Sequence, residues 1–257
     1  MLTQAGVRRT GMMNKVPEVT LSFWLIKILS TTVGETGADY LAVNIGLGTL
    51  LTDAVSLCVL LAAIICQLRQ PRYVPWVYWL SVVLLSVVGT QVTDLLTDGM
   101  GVSLYLSTAV FSVLLATVFL LWYWRECTLS IHTIVTRPRE LFYWAAILLT
   151  FALGTAAGDL ATEALGLGFR LGVMIFGGLI AAIYAAYRFG ANPVWAFWLA
   201  YILTRPLGAS LGDLLSQSPE YGGIGWGTVN TSIVFLLVIA GLVAFISRAR
   251  ATTSSPT

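Results

Sequence analysis

Charge is scarce in this sequence. Of 257 residues, 10% are Asp, Glu, Lys or Arg and 58% are hydrophobic, whereas a soluble domain carries about 25% charged residues. The shortage excludes an ordinary water-soluble fold. It also leaves no segment basic and polar enough to grip nucleic acid. Histidine is reduced to His132, in a polar connection, which argues against a histidine-based metal site. The three cysteines, Cys58, Cys66 and Cys127, show no CxxC or other ligand spacing. Cys58 and Cys66 sit in an apolar run, where a free thiol serves as a small hydrophobe. No Ser-His-Asp set, nucleotide-binding loop or HExxH motif is present, so nothing points to an enzyme or calls for a cofactor. No cleavable leader stands out either, because the polar, basic residues 1–17 run straight into an apolar stretch.

What is present is a series of apolar runs about 20 residues long, the length that crosses a bilayer core. Four of them share a pattern, [FY]-W-x4-L-x4-G-x4-D. Its copies are Phe23-Trp24, Leu29, Gly34, Asp39; Tyr78-Trp79, Leu84, Gly89, Asp94; Tyr143-Trp144, Leu149, Gly154, Asp159; and Phe197-Trp198, Leu203, Gly208, Asp213. Trp and Asp are uncommon inside apolar helices, so the recurrence marks an internal repeat. A glycine pair trails three of the aspartates: Gly46 and Gly48, Gly99 and Gly101, Gly166 and Gly168. The fourth copy has a longer link, with Gly222, Gly223, Gly225 and Gly227. Each pair opens a second apolar run.

The chain therefore reads as an all-α membrane protein of eight transmembrane helices, built as four parallel helical-hairpin repeats. The spans are expected near 19–41, 48–67, 74–97, 101–124, 141–163, 168–188, 193–216 and 227–247. The organisation is an N-terminal tail (1–17), repeat 1 (18–70), repeat 2 (71–126), a link (127–140), repeat 3 (141–190), repeat 4 (191–248) and a C-terminal tail (249–257). Two spans per unit give every unit the same orientation, so an axis along the membrane normal relates them. A four-membered ring and a two-plus-two pairing both fit. The lipid bilayer is the implied partner, and a homo-oligomer is compatible.

Charge is also segregated. Of fourteen Lys and Arg, eleven (Arg8, Arg9, Lys15, Arg69, Arg72, Arg125, Arg137, Arg139, Arg188, Arg248, Arg250) fall on the side holding both termini. The positive-inside rule makes that side cytoplasmic. Aromatic residues such as Trp76, Trp79, Trp122, Tyr123 and Trp124 suit an interfacial belt there. Of the twelve acids, only Glu18, Glu126 and Glu140 share that side.

The other acids need an explanation, since an ionised side chain in the bilayer costs a few kcal/mol or more. The sequence places Asp39, Asp94, Asp159 and Asp213 at equivalent positions, about 22 Å along a helix from the repeated Trp. Glu35–Asp39, Asp94–Asp98 and Asp159–Glu163 stand four residues apart, on one helix face. Like charges so placed repel unless a cation lies between them or one is protonated. Thr36, Gln91 and Ser210, each three residues before a repeat Asp, add polar oxygens. Carboxylates with hydroxyl and amide oxygens suit hard cations. The four aspartates are thus candidate ligands for an inorganic cation, most naturally a divalent metal ion, with Glu35, Asp98 and Glu163 beside them. Hydrogen bonding of each Asp within its own hairpin, or a proton relay alone, are the competing readings.

Three bases lie off the arginine-rich side: Lys27, Arg170 and Arg205. Arg170 and Arg205 are expected to neutralise Asp159, Glu163 or Asp213. Alternatively, Lys27 or Arg205 is a built-in counter-cation that substrate or protons displace. Pro206 is expected to bend the seventh helix. The repeated Trp is expected to anchor at the interface and in packing, and the repeated Gly to let helices approach closely.

The opening KVPEVTLSFWLIKILSTTVGETGADYL, together with the fourfold G-x4-D hairpins, resembles a bacterial family of uncharacterised membrane proteins made of four repeats of unknown function. The resemblance implies an eight-helix inner-membrane protein and carries no activity. From the residues, the expectation is a transporter of an inorganic cation, with proton coupling open to it. A small organic cation transporter and a non-transporting sensor or scaffold are the alternatives.

Overall fold

A computed structural model describes residues 14–44 and 49–253. Gly46, Gly48, Arg8 and Arg9 lie outside the described residues. All the described regular structure is helical. The eight long helices are α1 (Leu21–Asn44), α2 (Thr49–Arg69), α3 (Pro75–Asp94), α4 (Leu104–Glu126), α5 (Arg137–Asp159), α6 (Gly168–Arg188), α7 (Pro193–Ser216) and α8 (Thr228–Thr253). Side-chain oxygens of Ser103, Thr136 and Asn192 accept from the first free amides of α4, α5 and α7. The Thr136 cap, with Pro138 in the first turn, starts α5 four residues before the expected 141. Gly101 and Gly166, each seven residues after the repeat Asp, occupy the same place in repeats 2 and 3 and share a left-handed φ, 70° and 67°. A residue with a Cβ would be strained in that turn.

Six helices are long and apolar enough to cross a membrane: α2, α3, α4, α5, α6 and α8. The other two, α1 and α7, are 24 residues each, long enough at about 36 Å. They are less apolar because they carry Lys27, Glu35 and Asp39, and Arg205 and Asp213. An eight-helix membrane bundle accounts for both groups.

The first helices of the repeats form a closed inner ring, α1–α3–α5–α7–α1, every neighbouring pair in contact. The second helices stand outside. Each packs chiefly on the first helix of the next repeat: α2 on α3, α4 on α5, α6 on α7, and α8 back onto α1. This is the fourfold ring, not the two-plus-two pairing. The outer helices face lipid: 17% of the apolar span of α2, α4 and α8 and 11% of that of α6 is buried, against 56% for α3 and 61% for α5.

The repeated glycines explain the ring's tightness. A methyl at Gly34 would strike Ser86; at Gly89, Phe151; at Gly154, Arg205; and at Gly208, Thr31. Each obstacle belongs to the next inner helix and lies three residues before that helix's own glycine. The expectation of close approach is met, in a cyclic pattern. Threonines add cross-links at these contacts, with Thr31 Oγ1 donating to Thr204 O and Thr93 Oγ1 to Ala152 O, both at 3.1 Å.

The aromatic motif closes one end of the ring. Phe23 meets Trp79, Tyr78 meets Trp144, Tyr143 meets Trp198 and Phe197 meets Trp24, with ring centroids 5.6, 5.5, 6.2 and 5.7 Å apart. Each contact again runs to the next repeat. Tyr78 and Tyr143 hydrogen-bond to each other through their hydroxyls. Trp79, Trp144 and Trp198 are buried and Trp24 half-buried, so the repeated Trp is a packing element. Trp122 is also buried, while Trp76 and Trp124 are exposed as a belt requires. At the same end Lys15 forms a buried ion pair with Glu140 at 2.6 Å and donates to Leu68 O at 3.0 Å. That contact ties the segment before α1 to α2 and α5.

Candidate functional site

Each repeat aspartate lies five residues beyond its glycine, one turn past the column Glu35, Thr90, Thr155, Ala209. That column faces the ring axis, because three of its members meet one side chain there. Arg205, on α7, is fully buried. Its guanidinium donates to Glu35 Oε2 at 2.6 Å, to Thr155 Oγ1 at 2.8 and 3.1 Å, and to Thr31 O at 2.7 Å, and it also bonds Thr90 Oγ1. One arginine from repeat 4 thus joins the inner helices of the other three repeats at one level. Gly154 makes this possible, since its missing side chain is the space taken by Arg205 Cβ and Cγ.

The expected ion pair of Arg205 with Asp159, Glu163 or Asp213 is not the one formed; its ion-pair partner is Glu35, itself 6% exposed. Arg170 is exposed and forms no ion pair among the described residues. Lys27 sits two turns from Arg205's level toward the aromatic end. Fully buried, its Nζ has no hydrogen-bond partner and lies 4.0 Å from the Phe151 ring centroid and 4.2 Å from that of Tyr201.

On the other side of Arg205 lie the four aspartates. Asp213 is buried at 8% exposure, and Asp39, Asp94 and Asp159 are half-buried. Glu35 interacts electrostatically with all four, and the Asp charges act on one another across the ring. Asp98 and Glu163 are exposed. Neither Asp94 nor Asp159 makes a cap hydrogen bond. Among the described residues, no repeat aspartate accepts from a main-chain amide of its own hairpin. Immediately after Asp94 and Asp159 the helix widens into a π turn, Leu95–Gly99 and Leu160–Ala164. The wider turn brings Asp98 and Glu163 nearly into line with the aspartate four residues earlier, and such turns often mark functional positions.

The site is an acidic level of the inner ring, one turn beyond the buried Arg205–Glu35 pair. It is not a finished metal cage: among the described residues, no group of three or more His, Cys, Asp or Glu could hold a metal ion. The four aspartates expected as metal ligands converge in charge without chelating distance. Two of the expected supporting oxygens face elsewhere. Thr36 Oγ1 bonds Ser232 Oγ of α8 at 2.7 Å, and Ser210 packs against Gly172 of α6. Gln91 is buried, with its side-chain carbonyl unpartnered. Sequence reasoning missed Thr90 and Thr155. Their signal was the column directly after the repeat glycine, polar in three copies of four.

A family model described as Repeat of Unknown Function (DUF347) matches the chain four times, at residues 22–73, 77–128, 142–190 and 196–252. No curated protein and no solved structure matches it.

Proposed function

The chain belongs to that family of repeats, and from this premise, which supplies an architecture and no activity, we propose that it is a membrane carrier for an inorganic cation. The cation enters at the level of the repeat aspartates, on the inner ring. The observation that carries the proposal is the convergence of Asp39, Asp94, Asp159 and Asp213 around Glu35, with no main-chain amide of their own hairpins among the described residues to satisfy them. Anionic groups so placed are costly unless a positive charge visits them. The spread of the carboxylates favours a cation captured with part of its water shell. Proton coupling fits the same site, because neighbouring carboxylates share protons whenever the cation is absent. Segregation of Arg and Lys supports a cytoplasmic-membrane location with both termini inside.

The test is ion flux in proteoliposomes. Single Asp→Asn changes at 39, 94, 159 and 213 are expected to lower flux at least tenfold in some positions while the purified variants keep their melting temperature. Four variants that all transport like the parent would remove the proposal. Four variants that all fail to fold would favour a structural role for the acids.

A further inference from the structure

Arg205 occupies a seat built wholly by other helices. Its acceptors are one carboxylate oxygen (Glu35), two hydroxyls (Thr90, Thr155) and one carbonyl (Thr31), from α1, α3 and α5. Both hydroxyls spend their own protons on carbonyls of their own helices, Thr90 on Ser86 O and Thr155 on Phe151 O. They therefore turn lone pairs toward the guanidinium. Carboxylate, hydroxyl and carbonyl oxygens are also the donors that hard cations take.

We propose that these four oxygens are the internal binding seat of the transported cation, that Arg205 is its tethered occupant, and that the seat takes a monovalent ion. The proposal rests on the carrier reading given above. Charge decides the valence. The seat contributes a single negative charge, from Glu35, which Arg205 neutralises. A monovalent ion replacing the guanidinium leaves the buried charge unchanged. A divalent ion leaves an extra positive charge in the protein interior, where an unpaired charge is strongly disfavoured. The displaced Arg205 has somewhere to go, since it already interacts electrostatically with Asp39, Asp94 and Asp159. Cation and arginine thus exchange carboxylates. The ion descends from the aspartates to Glu35 as the guanidinium rises to the aspartates, and each carboxylate keeps a positive partner. Lys27, buried beyond the seat without a hydrogen-bond partner, is a second basic side chain that stands between the seat and the aromatic end.

The experiment uses the purified full chain with Arg205→Met and Arg205→Met/Glu35→Gln. Melting temperatures are compared in low-millimolar NaCl, KCl, MgCl2 and guanidinium chloride, against choline chloride at equal ionic strength. The seat predicts that guanidinium and either Na+ or K+ raise the melting temperature of Arg205→Met by several degrees over choline. Mg2+ is expected to do less, and the double variant not to respond. No response in Arg205→Met, or an equal response in the double variant, overturns the seat; a larger effect of Mg2+ overturns the monovalent assignment. Should Arg205→Met not fold, Thr90→Val/Thr155→Val keeps the ion pair and is read by flux. A roughly tenfold rise in KM for the monovalent ion is expected, and an unchanged KM overturns the seat. Rescue of Arg205→Met without any flux by the parent protein keeps the seat and removes the carrier. Aspartate-dependent flux without rescue does the reverse.

Discussion

A single side chain, Arg205, holds the centre of this protein, and its energetics follow from burial. Removing one partner of a buried ion pair strands the other charge and costs about 3–5 kcal/mol, whereas removing both together costs far less. Arg205→Met and Glu35→Gln are each expected to destabilise the chain by about that amount, and the double variant by clearly less than their sum. Chemical denaturation in detergent measures the cycle; strict additivity would mean that the pair is not the lock described above. At this scale the sequence was partly legible. Glu35, Asp39 and the other repeat aspartates stood out because carboxylates in apolar helices are rare. The partner of Arg205 did not, because the pairing crosses from repeat 4 to repeat 1 and no spacing within a helix encodes it. Thr36 and Ser210 lie one residue past the axial column, which turns them about 100° toward the outer helices.

At the scale of the helix, the repeat glycines control how closely the inner helices approach. Gly208 faces Thr31 with no room for a methyl, whereas Gly178 on lipid-facing α6 has nothing within 4 Å of that position. Gly208→Ala is expected to destabilise by about 1–3 kcal/mol through overpacking, and Gly178→Ala to be neutral or slightly stabilising through helix propensity. Thermal unfolding of the two variants checks this; equal effects would refute close packing at Gly208. The motif announced that some helices touch, but the choice of neighbour lay outside it. Likewise, Trp79, Trp144 and Trp198 read as interfacial because Trp favours that zone. They are buried because each ring is covered by the aromatic residue of the preceding repeat.

For the molecule as a whole, the decisive contact is the closure of repeat 4 on repeat 1. Thr36 and Ser232 touch across it, at 2.7 Å between hydroxyl oxygens. In a background with Cys58, Cys66 and Cys127 replaced, Thr36→Cys/Ser232→Cys is expected to form a disulfide between α1 and α8, seen as a gel shift after limited cleavage of the 127–136 link. Absence of the cross-link would argue for an open arrangement. The native thiols report on orientation. Cys127 is exposed at the end of α4, at the arginine-rich side, while Cys58 and Cys66 are exposed on α2 within the lipid-facing span. An impermeant maleimide is expected to label Cys127 in inside-out vesicles and not in intact cells; the opposite pattern would invert the topology.

The amino-acid sequence by itself determined the class of protein, the repeat, the places of its eight helices and the unusual investment in buried acids. Those properties follow from composition and from spacing along one chain, which lipid and helix geometry translate directly into local structure. Tertiary structure alone decided that the repeats close into a ring, that each outer helix serves the next repeat, and that Arg205 meets Glu35 and two threonines on the axis. These are contacts between residues up to 196 positions apart in sequence. Their selection depends on which small residues let which backbones approach, a matter of three-dimensional fit that no periodicity in the chain records.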